Sequence, residues 1–211
     1  VPRQPIAPHT GRRDVFGDLR EGMAYSYRQP AVFGLLLLGT VPLFFAMTYV
    51  ALLPIFAENV WHVGASGFGI LAAAPGIGGF LGALGVASAG RYQYKGRLMI
   101  VGTVLYGLML AAFALSPTYH LGVLCLAMAG AAGVASSATV GSLVQAIIPV
   151  EVSGRVMSFY QMSYGISGLS ALPAGALAAS FGAPVTIALC GILTAVSGVA
   201  IARLRPVLLT L

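Results

Sequence analysis

AVFGLLLLGTVPLFFAMTYVALLPIFA, residues 31 to 57, runs for 27 residues without an Asp, Glu, Lys or Arg. About 20 apolar residues carry a helix across about 30 Å of hydrocarbon, so this stretch alone is long enough to span a bilayer. Five more apolar runs follow it. Together they place spans at Ala31–Ala57, Gly67–Ala89, Leu98–Ser116, Leu121–Ile148, Met157–Ser180 and Pro184–Ala202. The runs are too long for barrel strands and do not alternate, whereas a spanning helix satisfies its own backbone. The expected fold class is an all-α membrane protein with six transmembrane helices.

The basic residues orient the bundle. Arg3, Arg12, Arg13, Arg20 and Arg28 precede the first span, and Arg91, Lys95 and Arg97 lie in the second connection. Arg155 lies in the fourth, and Arg203 and Arg205 lie in the tail. The first, third and fifth connections hold no Lys or Arg. Basic segments stay in the cytoplasm during insertion, so both termini are expected inside a cell membrane crossed several times. Trp61, His62, Tyr119 and His120 sit in outer connections, where an aromatic interface belt belongs.

Composition excludes other classes. Hydrophobic residues make up 58% of the chain and charged residues 8%, with a mean hydropathy of +0.93. No soluble domain with a polar shell has that balance. The net charge of +6 acts as orientation charge beside anionic headgroups and does not point to nucleic acid. Cys125 and Cys190 fall inside apolar runs without metal-type spacing and are expected to be small packing residues. No metal or cofactor is expected, and nothing suggests an enzyme: neither a phosphate-binding G-x-x-x-x-G-K-[ST] nor a catalytic Ser/His/Asp cluster stands out.

Residues 1–30 form the first unit, a Pro-rich basic cytoplasmic segment leading into an amphipathic stretch from Asp14 to Gln29. In that stretch Phe16, Leu19, Met23 and Tyr27 recur at helical spacing, which suits a helix on the inner membrane surface. Residues 31–205 hold the bundle and 206–211 a cytoplasmic tail. No signal peptide is visible, and the absence of an initiator Met suggests a longer product.

Small residues form stripes on three spans. Span two carries Ala74, Gly78, Gly82 and Gly85, and span four carries Gly130, Gly133, Ser137 and Gly141. Span five carries Gln161, Tyr164, Gly168, Ala171, Gly175 and Ala179. In lipid, close backbone approach through small residues replaces the missing hydrophobic drive between helices. Gly78, Gly82, Gly85, Gly168 and Gly175 are therefore candidate packing residues, either within one bundle or on a surface where another bundle slides. Spans one, three and six are richer in Leu, Val and Ile, and are expected to face lipid. Pro42, Pro54, Pro75 and Pro173 each remove a helix hydrogen bond, to Leu38, Val50, Leu71 and Leu169, and favour kinks.

No ionisable residue lies mid-span, so no energy-coupling group is expected in this segment. The polar cavity candidates are Thr48, Tyr49, Ser137, Gln145, Gln161 and Tyr164, with Thr139 beside them. Ser and Thr commonly bond back to their own helix, which weights the choice toward Gln and Tyr. Gln145 and Gln161 could instead bond each other.

Two inner connections and a linker carry a family resemblance. The second connection reads AGRYQYKGR from Ala89 to Arg97, the fourth reads PVEVSGRVMS from Pro149 to Ser158, and the linker reads DLREGMAY from Asp18 to Tyr25. Together they resemble the C-terminal half of a major facilitator superfamily transporter, in the bacterial branch of enterobactin and multidrug exporters. The family's inner loop reads G-x-x-x-D-R-x-G-R-R. Gly96 and Arg97 match its later Gly-Arg, while Ala89, Gln93, Tyr94 and Leu98 depart from it, which puts the usual Asp latch in doubt. Pro149, Glu151, Gly154 and Arg155 fit the pattern P-x-E-x-x-G-R, and Glu151 and Arg155 are spaced to pair on one helix face.

The resemblance implies half of a twelve-helix bundle, with Gly96, Arg97, Glu151, Gly154 and Arg155 as inner-gate residues. It implies a cavity lined by spans one, four and the inner parts of two and five, and small stripes on spans two and five that face the other half. The implied function is secondary transport: export of hydrophobic or amphipathic small molecules by alternating access, proton-coupled by analogy. The implied partners are a small-molecule substrate, the lipid bilayer, and an N-terminal six-helix half or a second copy. The alternative is a six-helix membrane domain that transports nothing alone, as a partner subunit or permease remnant. The membrane domain of an ATP-driven pump would need longer inner loops than these.

Overall fold

Helix fills nearly all of the residues that the computed structural model describes, which are 29–88, 95–148 and 150–204. The expected amphipathic stretch, the centre of the second connection, Pro149 and the tail lie outside them. Helix α1 spans Pro30–Ala46 and α2 spans Thr48–Ile55, continued by a π-helical turn over Phe56–Val60. Then come α3 (Gly64–Ser88), α4 (Lys95–Ala114), α5 (Tyr119–Ile147), α6 (Val150–Ser167), α7 (Ala171–Phe181) and α8 (Ala183–Leu204).

Five helices are long and apolar enough to cross a membrane, α1 and α2 together counting as one. The expected fifth span behaves differently. Its course from Val150 to Phe181 is interrupted by a 3-10 turn at Gly168–Ser170, which separates α6 from the shorter apolar α7. The cause is local. Pro173 offers no N–H to Leu169, and glycine at 168 adds little helix propensity.

Two inner connections are shorter than expected. Gly96 and Arg97 belong to the first turn of α4, and Gly154 and Arg155 to α6, so these residues sit on helix ends and not in loops. Gly96 is buried and Arg97 exposed. The side chains of Glu151 and Arg155, and hence their expected pairing, lie outside the described residues.

The helices pack in a chain of neighbours. α3 lies along α5, α5 along α4, and α4 along α8; α1 packs on α8 and α6, and α7 leans on α8. Lipid exposure runs opposite to the expectation from composition. Of the apolar stretch of α8 56% is buried, against 22% of α3. Leu, Val and Ile do not distinguish lipid from protein interior, because in a bilayer both surroundings are equally apolar. Close contacts decide instead. A β-carbon on Gly107 would overlap the carbonyl oxygen of Gly191, and one on Gly191 would lie 2.7 Å from Ala111 N, so the α4 and α8 backbones cross in contact.

An aromatic cap closes one end of the bundle. Phe56 and Phe113 stack with centroids 4.7 Å apart, Trp61 meets both at 5.2 and 5.6 Å, and Tyr119 joins Trp61 at 6.0 Å. The Tyr119 hydroxyl donates to Gly67 O at 3.1 Å. Trp61 and Tyr119 are thus built into the bundle, while His62 and His120 are exposed. Gly182 makes the tight turn from α7 to α8 at φ +85°, a conformation that an L side chain resists, and its N–H donates to Ala178 O at 2.9 Å.

Candidate functional site

Where α1, α4, α5 and α6 meet, the bundle leaves a cavity of ≈ 40 Å³. Leu38, Gly39, Pro42 and Leu43 of α1 form one wall. Thr103 and Tyr106 of α4, Ser136 and Ser137 of α5, and Tyr160 and Tyr164 of α6 supply hydroxyls. No Asp, Glu, Lys or Arg lies among its lining residues. A much larger groove, ≈ 540 Å³, runs outside the bundle along α8 beside Ala195, Val199 and Arg203, and its wall is almost wholly aliphatic. The smaller cavity holds the chemistry.

Its geometry follows from proline and glycine. Pro42 leaves the Leu38 carbonyl without its usual helical donor at the cavity wall. Gly39 lets the Tyr160 ring lie against α1, since a β-carbon at Gly39 would come 2.5 Å from Tyr160 Cε2. Gly133 gives the Tyr106 ring a similar seat on α5, at 3.4 Å from such a β-carbon. Tyr160 and Tyr164, four residues apart on α6, meet edge-on at 5.9 Å with their rings at 90°.

A hydroxyl pair binds α4 to α5 beside the cavity. Thr103 Oγ1 and Ser136 Oγ lie 2.7 Å apart, and each also lies 3.0 Å from Met99 O. Two protons serve three contacts, so one hydroxyl donates to Met99 O and the other to its partner or to the same carbonyl. Ser137 Oγ donates to Val134 O at 3.1 Å, and Thr139 Oγ1 to Ala135 O at 2.7 Å, both within their own helix.

The structure divides the six expected cavity residues. Ser137 and Tyr164 line the cavity. Tyr49 is buried in the neighbouring apolar core, against which Tyr106 also packs. Thr48 is buried too. Gln145 and Gln161 are both exposed, and among the described residues no hydrogen bond joins them. Sequence reasoning missed Tyr106, Tyr160, Thr103 and Ser136. A Tyr at the fourth residue before Tyr164 was a visible signal for Tyr160. Tyr106 and Thr103 lay in a span that composition assigned to lipid.

The candidate packing residues also divide. A β-carbon on Gly78 or Gly82 would overlap the carbonyl oxygens of Ala127 and Ala131, and one on Gly130 would overlap that of Pro75. Gly78 and Gly82 therefore pack inside this bundle, against α5, and present no sliding face to a second one. Gly85, Gly168 and Gly175 have open space beside them. The cavity inside this bundle is lined by α1, α4, α5 and α6, and is distinct from the expected cavity between two halves.

Among the described residues, no group of three or more His, Cys, Asp or Glu is placed to hold a metal ion. Comparison with known proteins adds a lineage. The family described as "Transmembrane secretion effector" matches residues 3–208. The enterobactin exporter of Citrobacter koseri is 33% identical over 156 residues, which cover 74% of this chain and 37% of that protein. The enterobactin exporters of Salmonella choleraesuis and Escherichia coli O81 are each 31% identical over the same shares. The match thus spans 37% of the length of the curated relatives. No solved structure gives a significant match.

Proposed function

This chain belongs to the transmembrane secretion effector family of the major facilitator superfamily, and from that premise we propose that it forms the C-terminal six-helix half of a secondary exporter. The observation that carries this reading is the uncharged cavity of hydroxyls and aromatic rings at the junction of four helices. Such a lining suits hydrophobic or amphipathic small molecules that bring a few hydrogen-bonding groups. Substrate moves by alternating access and the proton gradient drives export, with the coupling residues on the other half. The broken course of α6 and α7 completes the sixth span. Both termini face the cytoplasm, as the basic residues indicate.

The partner is an N-terminal six-helix half or a second copy. Two exposed faces suit it: α3, with Ile77, Phe80 and Leu84, and α6–α7, with Leu169, Leu172, Gly168 and Gly175. In this reading Gly96 and Arg97, in the first turn of α4, and Glu151, Gly154 and Arg155, in the first two turns of α6, hold the inner gate.

One observation favours the second reading, a domain that transports nothing alone. At ≈ 40 Å³ the cavity is far below the roughly 300–1,000 Å³ of small-molecule sites. Efflux of a fluorescent amphipathic dye from cells, with Ser137→Leu and Tyr164→Leu in the natural full-length protein, separates the two. Lost efflux with normal membrane levels supports the exporter. Undiminished efflux in both variants removes this cavity from the transport path.

A further inference from the structure

Among the five long apolar helices α8 is the most buried, yet it leaves one flank open. Ala195, Val196, Val199, Ala200, Arg203 and Leu204 recur on that flank and line the groove of ≈ 540 Å³. From Ala195 to Leu204 the helix rises about 14 Å. The two alanines keep the floor of the groove low. One turn further from Arg203, Ile192 and Leu193 stand exposed on the same face. Arg203, exposed in the last turn of α8, brings a charge to one end of this aliphatic wall.

That cation has company. α4 and α8 run antiparallel: Gly107 crosses Gly191, and a β-carbon on Gly198 would lie 3.0 Å from Thr103 Cγ2. Further along, Met99 and Ile100 share a core cluster with Ile201 and Ala202. One more turn in that register sets the start of α4, with half-buried Lys95 and exposed Arg97, level with Arg203. This end of the α4–α8 pair therefore carries three cations on two neighbouring helices. Glu58, the one acidic side chain among the described residues, lies in the π-helical turn beside the aromatic cap, at the opposite end.

We propose that the groove and Arg203 form a binding site for an anionic phospholipid. One acyl chain lies along Val196 and Val199, and the phosphate meets the Arg203 guanidinium, with Lys95 and Arg97 adding to the local positive potential. Lipid tails are as apolar as the groove, so its wall alone selects nothing in a bilayer. Selection comes from the charge. A guanidinium presents a planar fork of N–H donors that matches a phosphate. A zwitterionic lipid brings its own ammonium, which offsets that attraction. Shape decides between a lipid chain and a further helix. A helix about 10 Å across fills roughly 1,000 Å³ over a length of about 14 Å, some twice what the groove offers. The site is independent of the transport reading.

Native mass spectrometry of the natural full-length protein in detergent tests this, with phosphatidylglycerol and phosphatidylethanolamine of identical acyl chains as the probes. Phosphatidylglycerol should bind the more tightly. Arg203→Gln should weaken it about fivefold, the effect of one cation beside an anionic headgroup, and leave phosphatidylethanolamine unchanged. Arg203→Lys keeps the charge without the fork and should fall between. Ala200→Phe fills the groove and should weaken both lipids. Ala200 and Arg203 are exposed, so the variants should keep the fold, which size-exclusion chromatography checks. Equal affinity of the unaltered protein for the two lipids, or unchanged phosphatidylglycerol binding in Arg203→Gln, would overturn the site. Unchanged binding of both lipids in Ala200→Phe would overturn the seat of the acyl chain. Because the readout is bound lipid, a failure here leaves the efflux result unaffected, and the reverse holds too.

Discussion

Tyr160 lies against Gly39, close enough that the smallest side chain at 39 would come 2.5 Å from its ring atom Cε2. Gly39→Ala gains roughly 0.5–1 kcal/mol of helix propensity. Overpacking costs about 1–3 kcal/mol, and the ring must swing into the cavity. The expected result is a net loss of roughly 1 kcal/mol, visible as a lower unfolding midpoint in detergent. Gly133→Ala, where Tyr106 stands at an ordinary 3.4 Å, keeps the propensity gain without the overlap and should raise the midpoint. Equal effects at both positions would refute the seating of Tyr160.

Gly78→Leu and Gly85→Leu should behave oppositely. At Gly78 the added side chain meets the Ala127 carbonyl, which belongs to backbone and cannot swing away; at Gly85 the space is open. Gly78→Leu should cost more than the ~1–3 kcal/mol of ordinary overpacking and yield little monodisperse protein on size-exclusion chromatography. Gly85→Leu should elute as the unaltered protein does. If an N-terminal half covers that face, its loss of activity will appear in efflux and not in folding.

Ser136→Ala removes one of the two hydroxyls that reach Met99 O. Hydrogen bonds between membrane helices average about 0.6 kcal/mol and reach about 1.7. Thr103 keeps its own bond to Met99 O, so the expected loss is about 0.6 kcal/mol, and the double variant Ser136→Ala, Thr103→Val should lose more. A double-mutant cycle on unfolding free energy measures the coupling; strict additivity would show that the pair does not act together.

Tyr119→Phe deletes the hydroxyl that donates to Gly67 O while keeping the ring beside Trp61. A loss of about 0.5–1.5 kcal/mol is expected, as for a typical single hydrogen bond. Tyr119→Ala should lose several times that, because the edge contact goes as well. Hydrogen exchange at the Gly67 end of α3 locates the effect.

Five of the six expected spans were legible in the sequence because apolar length is a property of each segment alone. The 27 uncharged residues before Glu58 could be nothing but buried or membrane-spanning. Which face each helix turns inward was not legible in the same way. Gly78 and Gly107 carry the same atoms, and only the placement of α5 and α8 decides what each meets. Tyr106 was hidden among Leu and Val, since lipid and protein interior accept the same residues. Ser137 and Tyr164, singled out because polar groups at mid-depth are costly enough to need a reason, line the small cavity, while Gln145 and Gln161 are exposed on this bundle.

The Tyr119–Gly67 bond joins residues 52 apart in the chain, and the Trp61 ring lies against Gly122. Both contacts bring the turn between α2 and α3, with the start of α3, against the start of α5. Chain order therefore leaves Phe56, Trp61 and Gly67 without Tyr119 and Gly122 until α5 is in place, and the cap is completed only by the last of its helices to be made.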